Sequence, residues 1–218
     1  MDKQNILFFI LLLNVWSCTN ESKRPFTKME KLDISSLGMI SSMLDEDKFW
    51  TIVQNSLDNT ANQDQQYDYL VHQVSKLSPT EMIGFRLRTD KLLYDTYTSE
   101  MWCAGYLING GCSDDGFEYF RNWVISRGKE VFYKAKDTPD SLSSEVGADT
   151  YDYEFEMFWY VALKAFENKT GKNLYDYIDY EKFTTREGNY PHFEFNWQEN
   201  KPETLKAICP QLFEKFGW

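Results

Sequence analysis

Between Asn109 and Asp115 the chain carries a helix-stop signal and a helix-start signal back to back. Asn109-Gly110-Gly111 supplies residues that tolerate a positive φ, the backbone state in which a helix ends. Ser113 or Asp114 is then placed to cap the next helix. A second start signal is stronger still: in Ser78-Pro79-Thr80-Glu81 a serine cap, a proline at the first helical position and a glutamate at the third form a capping box with a preset φ. A chain punctuated in this way is built to lay helix on helix.

The apolar periodicity agrees. Asp45 or Asp47 caps a first helix whose buried stripe is Phe49, Trp50, Val53 and Leu57, and Tyr67, Leu70, Val71, Val74 and Leu77 mark a second. The third, from the capping box, buries Met82, Phe85, Leu92, Leu93 and Tyr97 and sends Arg86, Arg88 and Lys91 toward water. Ser99 starts a fourth through Met101, Trp102 and Tyr106; the fifth carries Phe117, Phe120, Val124 and Ile125 and ends at Gly128; and 129–136 gives a sixth. Residues 141–150 read as a polar loop and 151–166 as a long helix. The tail is weakly patterned until two proline-led segments, 202–208 and 210–216, and a short extended piece is expected around Phe193-Glu194-Phe195. With 218 residues, 42% of them hydrophobic, the chain supports one core. The expected fold is all-α, a single-core multi-helix domain over 45–218.

The N-terminus carries an address rather than a fold. A short polar start with Lys3 precedes eight apolar residues from Ile6 to Leu13, too few to cross a bilayer as a helix and right for a secretory core. Val15-Trp16-Ser17-Cys18 then resembles a bacterial lipoprotein signal, with Val15 in place of the commoner leucine and a bulky Trp16. The expected arrangement is a signal peptide over 1–17, lipidation at Cys18, a polar tether over 18–44, and attachment to the cell-envelope membrane through the lipid. Thr19 after the cysteine leans this toward the outer membrane. A buried N-terminal helix in an intracellular protein is the competing reading.

Charge narrows the partners. With 34 Asp plus Glu against 23 Lys plus Arg, the net charge of −11 repels phosphate backbones, so no nucleic-acid partner is expected, whereas a basic envelope protein is a possible one. Beyond Cys18, the odd set Cys103, Cys112 and Cys209 leaves at least one free thiol. Cys103 and Cys112 either bridge across Gly110-Gly111 or stay reduced and buried.

For chemistry, the candidate acids are Asp114, Asp115 and Glu118, joined in space by Glu154 or Glu156. Asp114 and Glu118 share a helix face, as a carboxylate-dependent hydrolase with a divalent metal would need. The competing reading makes them helix-start acids, stabilised by the partial positive charge of the first turn. Ser113 or Cys112 as a nucleophile needs a histidine, and only His72 and His192 exist, both remote in sequence. The glycines lack the lysine and Ser/Thr of a phosphate loop, and no Cys/His spacing calls for a metal or other cofactor. Candidate ligand contacts are Trp102, Tyr106, Tyr119, Arg121, Trp123 and Arg127, with Tyr119 and Trp123 as the exposed pair and Arg121 either in an internal ion pair or on a ligand anion. Core packing competes for every one of these aromatics.

Asp47-Lys48-Phe49-Trp50, Leu77 to Glu81 leading to Phe85, Met101-Trp102, the run 107–128 with Asn109-Gly110-Gly111-Cys112-Ser113-Asp114-Asp115-Gly116 at its centre, Asp140-Ser141-Leu142 and the acidic-aromatic stretch 154–162 together resemble a bacterial family of unknown function, number 4240. The resemblance covers roughly residues 45–165 and implies no established activity. In some proteins the domain accompanies a module linked to regulation of molybdate metabolism, a nucleic-acid role that the charge of this chain opposes. The functional expectation is a lipid-anchored, non-catalytic binding module, with the Asp114/Asp115/Glu118 hydrolase as the alternative.

Overall fold

A computed structural model describes residues 31–147, 153–183 and 191–217, and these belong to one unit that begins at Lys31. The elements are α1 (Glu46–Asn59), α2 (Gln63–Val74), α3 (Pro79–Asp95), α4 (Ser99–Asn109), α5 (Asp114–Ser126), α6 (Lys129–Asp137), α7 (Val161–Thr170), α8 (Pro202–Ile208) and α9 (Pro210–Phe216), with short 3-10 turns at Pro139–Ser144, Glu156–Tyr160 and Leu174–Tyr177. Among the described residues the only β-type pairing is a single parallel bridge between Ile40 and Ile178. The fold is all-α, and no described helix is long and apolar enough to cross a membrane. The expected signal peptide over 1–17 and Cys18 lie outside the described residues.

Helix α3 is the centre. Its capping box forms as read: Ser78 accepts from the Glu81 amide while Glu81 reaches back to the Ser78 amide. Helices α1, α5 and α7 pack around it, so Met82, Ile83, Phe85, Leu87, Leu92 and Leu93 are all within 2% of full burial. Phe85 sits between Phe49 of α1 at 4.6 Å and Phe158 at 6.4 Å, centroid to centroid. Each such ring contributes roughly 1.5–3 kcal/mol by leaving water. This crowding also corrects the wet-side expectation for Arg86, which is 2% exposed because α7 and the turn before it close over that face.

The segment read as a polar tether is, in its described part, hydrogen-bonded to the helical body. Leu32 donates to Lys169 O at 2.8 Å, Ile40 to Tyr177 O at 2.8 Å and Leu44 to Gly84 O at 2.9 Å. The last contact needs a glycine, since a Cβ at position 84 would lie 2.7 Å from the Leu44 nitrogen. With the Ile40 and Leu44 amides spent on these partners, residues 37–44 form no helical turn.

The fourth helix is capped by Thr98, not Ser99. The Ser99 hydroxyl bonds Asn196 at 2.6 Å and the Ser99 carbonyl takes the Trp197 indole N–H at 2.9 Å, so the first turn of α4 serves as a dock for the tail. Residues 193–195, expected to be extended, form no strand and lie instead against Trp102 through their rings. The long helix expected over 151–166 is also corrected in its described part. Tyr153 N donates to Asn109 Oδ1 and Phe155 N to Tyr119 O at 2.9 Å, so these amides are committed to α4 and α5, and α-helix begins only at Val161. The loop over 141–150 opens with the 3-10 turn Pro139–Ser144, from which buried Asp140 accepts the Gln211 and Leu212 amides at 3.1 and 2.9 Å and caps α9.

Candidate functional site

The junction between α4 and α5 is built from its punctuation. Gly110 adopts φ 70° and closes α4. Ser113 accepts the Gly116 amide at 3.1 Å and opens α5, so the serine is the cap and Asp114 is not. Asp114 and Asp115 follow in the first turn, both exposed. The Glu154 carboxylate closes over the same turn, its oxygen 3.0 Å from where a Cβ on Gly116 would stand. Glu154 thus lies beside the helix start, while Glu118, half-buried, adds to the upward push on Asp90. Among the described residues no three His, Cys, Asp or Glu side chains converge in a way that could hold a metal ion.

The nucleophile candidates are poorly placed. Burial, then the charge of Glu154, pushes the Cys112 thiol up to about 12, which leaves almost no thiolate at neutral pH. The Ser113 hydroxyl is engaged as a cap, and His72 and His192 are both exposed. All three described cysteines are free thiols, Cys103 turning its sulfur to Leu205 O at 3.9 Å and Cys112 to Ser113 O at 3.7 Å.

Most of the candidate ligand contacts are internal. Trp102 stacks on Phe117 at 4.2 Å and is covered by Phe195 at 5.3 Å. Tyr106 packs on Trp197 at 5.2 Å. Trp123, expected on the surface, is 4% exposed, because Tyr153 meets it edge-on at 5.0 Å. Arg121 is fully buried: it donates to Phe117 O at 3.2 Å and to Leu93 O near the end of α3, between the rings of Tyr97 and Phe117 at 4.9 and 4.5 Å. Its charge answers the negative end of the α3 dipole, so it is spent inside the fold and is not presented to a ligand anion. Arg127 borders a cleft of about 470 Å³ with Gln54, Gln66 and Trp123. Tyr119 alone of the expected exposed pair stays partly accessible.

Two arrangements were not legible from spacing. The first is a buried ion pair. Arg86 Nη2 lies 2.8 Å from Asp90 Oδ1, Nη1 donates to Trp159 O at 3.1 Å, and the guanidinium lies 3.2 Å from the centre of the Trp159 ring. Burial pushes Asp90 above the ordinary carboxyl range against the pull of Arg86. It also pushes the neighbouring Tyr180 up to about 12, with Asp90 adding to the effect. The second is a groove of about 640 Å³ between α2 and α7, lined by Tyr67, Met157, Tyr160, Leu163 and Leu174 with Lys164, Glu167 and Lys172 among them. Met157 and Tyr160 are 42% and 40% exposed, unusual for large apolar side chains. Tyr160 joins this groove to a second surface: Glu156, Asp115, Tyr160 and Glu118 all act on the Tyr119 hydroxyl and raise its pKa, after burial. A signal existed in the clustered acids and aromatics of 154–160, but only the 3-10 turn decides which of them face out.

No curated protein and no solved structure matches the chain significantly. The sequence model of one family, described as Protein of unknown function (DUF4240), matches residues 44–168. The match opens at Leu44, where the chain meets Gly84, takes in the α4–α5 junction and the Arg86–Asp90 pair, and closes inside α7. Over more than half its length, therefore, this chain belongs to the DUF4240 family of proteins of unknown function.

Proposed function

We propose that this protein is a lipid-anchored component of the bacterial cell envelope whose helical domain binds another envelope protein without performing chemistry. The observation that carries the binding reading is the shared position of Tyr160, at once a wall of the groove and, with Asp115, Glu118 and Glu156, close enough to Tyr119 to act on its hydroxyl. A groove with apolar walls, lined also by Lys164, Glu167 and Lys172 and sharing Tyr160 with an acidic, aromatic surface, fits a segment that carries one or two large apolar side chains into the groove and basic residues on the side of the acids, the rings supplying contact area and the acids steering the approach. The net charge of −11 favours the same class of partner. Asp114, Asp115 and Glu118 then contribute charge to a surface, and none of them lines the groove.

The anchor reading rests on the apolar run from Ile6 to Leu13 and on Cys18. Its test is incorporation of labelled fatty acid, present in wild type and absent in Cys18→Ala. The binding test uses the acylated chain as bait in detergent-solubilised envelope, alongside Tyr160→Ala and Glu156→Lys. A specific partner is held by wild type, released by moderate salt and lost from both variants. Equal retention by all three chains refutes the surface.

A further inference from the structure

We propose that Cys103 and Cys209 are a disulfide-forming pair that staples the C-terminal helices to α4. The two residues are remote in sequence and come together in the fold. Cys103, in the middle of α4, points its sulfur at Leu205 O at 3.9 Å. The same carbonyl accepts the Cys209 amide at 2.9 Å, which fixes the residue joining α8 to α9 beside it. Both side chains are fully buried where α4 packs against α8 and α9, and Cys103 is the largest influence on the Cys209 thiol. Gathered at one buried carbonyl, the two side chains can be turned toward each other to bond. Cys112, the partner suggested by spacing, sits past the end of α4 and turns its sulfur to its neighbour Ser113 O at 3.7 Å.

The chemistry is thiol–disulfide exchange with a small-molecule disulfide. One protein thiol loses its proton and attacks a sulfur of the oxidant, forming a mixed disulfide and expelling one oxidant thiolate. The second protein thiolate attacks the protein sulfur of that mixed disulfide and expels the other. The protein loses two electrons and two protons, and the oxidant is reduced to two thiols. In the closed state the adjacent Cys103 thiol, and after it burial, holds Cys209 far above the ordinary thiol range, so exchange proceeds through opening of α8 and α9. Those helices are seven residues each and lie at the end of the chain, outside the family match, where local opening is least costly. The bond closes a loop of about one hundred residues, among the more effective lengths for constraining the unfolded chain. Its occurrence in the cell rests on the export reading above; the pairing itself does not.

The test treats the full-length chain with oxidised glutathione in mild urea, quenches with acid, alkylates, and maps the peptides by mass spectrometry. The expected product is a reductant-sensitive peptide joining Cys103 to Cys209 with Cys112 alkylated, and a melting temperature about 10 °C above that of the reduced chain. Cys112→Ser retains both results and Cys103→Ser loses both. The peptides are mapped on wild type, so the outcome does not depend on a variant folding. Recovery of Cys103 and Cys209 as separate alkylated peptides, or of either joined to Cys112, overturns the proposal and leaves the lipid-labelling test untouched.

Discussion

Arg86→Met removes one charge from the centre of the fold while keeping an apolar side chain in its place. In the native protein the partners are 2.8 Å apart and their side chains are 3% and 4% exposed. At an effective dielectric of about 20 the attraction at that distance is about 6 kcal/mol, much of it offset by the cost of taking both ions out of water. The variant loses the attraction and keeps the cost on Asp90, so the expected destabilisation is about 3–5 kcal/mol. In a chain of this size that corresponds to a fall in Tm of about 6–20 °C. The effect has a pH signature. Asp90 titrates above its unfolded value because of burial, and loss of Arg86 moves it further up. A carboxyl shifted upward contributes stability that is full below its unfolded pKa and is lost as pH rises through the folded one. The variant is therefore weakest at neutral pH and above, and recovers toward acid. Urea unfolding followed by far-ultraviolet circular dichroism at about pH 5 and about pH 8 reads both features. The double variant Arg86→Met/Asp90→Leu removes the stranded charge and regains most of the loss. An Arg86→Met chain within about 0.5 kcal/mol of wild type at the higher pH, or a double variant no more stable than the single, refutes the reasoning.

At Gly84 an alanine ordinarily adds about 1 kcal/mol to a helix, yet here its Cβ would stand 2.7 Å from Leu44 N and 3.2 Å from Leu44 Cα. Gly84→Ala is expected to destabilise by about 1–3 kcal/mol, and a rise in melting temperature contradicts the close approach. At the α4–α5 junction Ser113→Ala is expected to cost about 1 kcal/mol, while Asp114→Asn and Asp115→Asn each cost less, a few tenths from the helix dipole. Chemical denaturation that finds either aspartate costlier than the serine shows that the acids have a stronger partner than the helix start.

Helix starts were legible in the sequence because they are local chemistry. A serine followed by proline and glutamate satisfies orphan amides within one turn, and a glycine with φ near 70° ends a helix whatever lies around it, so α3, the end of α4 and the start of α5 stand where the residues place them. The apolar stripes identified α1 and α6 for the same reason, since each buries one face, and α5 through Phe117, Phe120, Val124 and Ile125, although its second half is buried all round. What periodicity does not carry is which polar side chains go inside. Arg86 reads as a surface cation, and Arg121 as one member of an ion pair or an anion contact, because their burial depends on carbonyls far along the chain, Trp159 O beside the local Asp90 for one and Leu93 O for the other.

The long helix over 151–166 failed for a related reason: distant acceptors on Asn109 and Tyr119 outcompeted the local ladder for the amides of Tyr153 and Phe155. The candidate site followed the same division. Sequence determined that Asn109 to Asp115 joins two helices and that acids and aromatics abound around it. Only tertiary packing decided that Trp102, Tyr106 and Trp123 would be covered by the protein's own tail and loop, that Tyr160 would line a groove, and that Cys103 and Cys209 would share the Leu205 carbonyl. Caps and turns are settled within a few residues by backbone hydrogen bonds; exposure and pairing across the fold depend on where remote segments come to rest, and no local pattern records that.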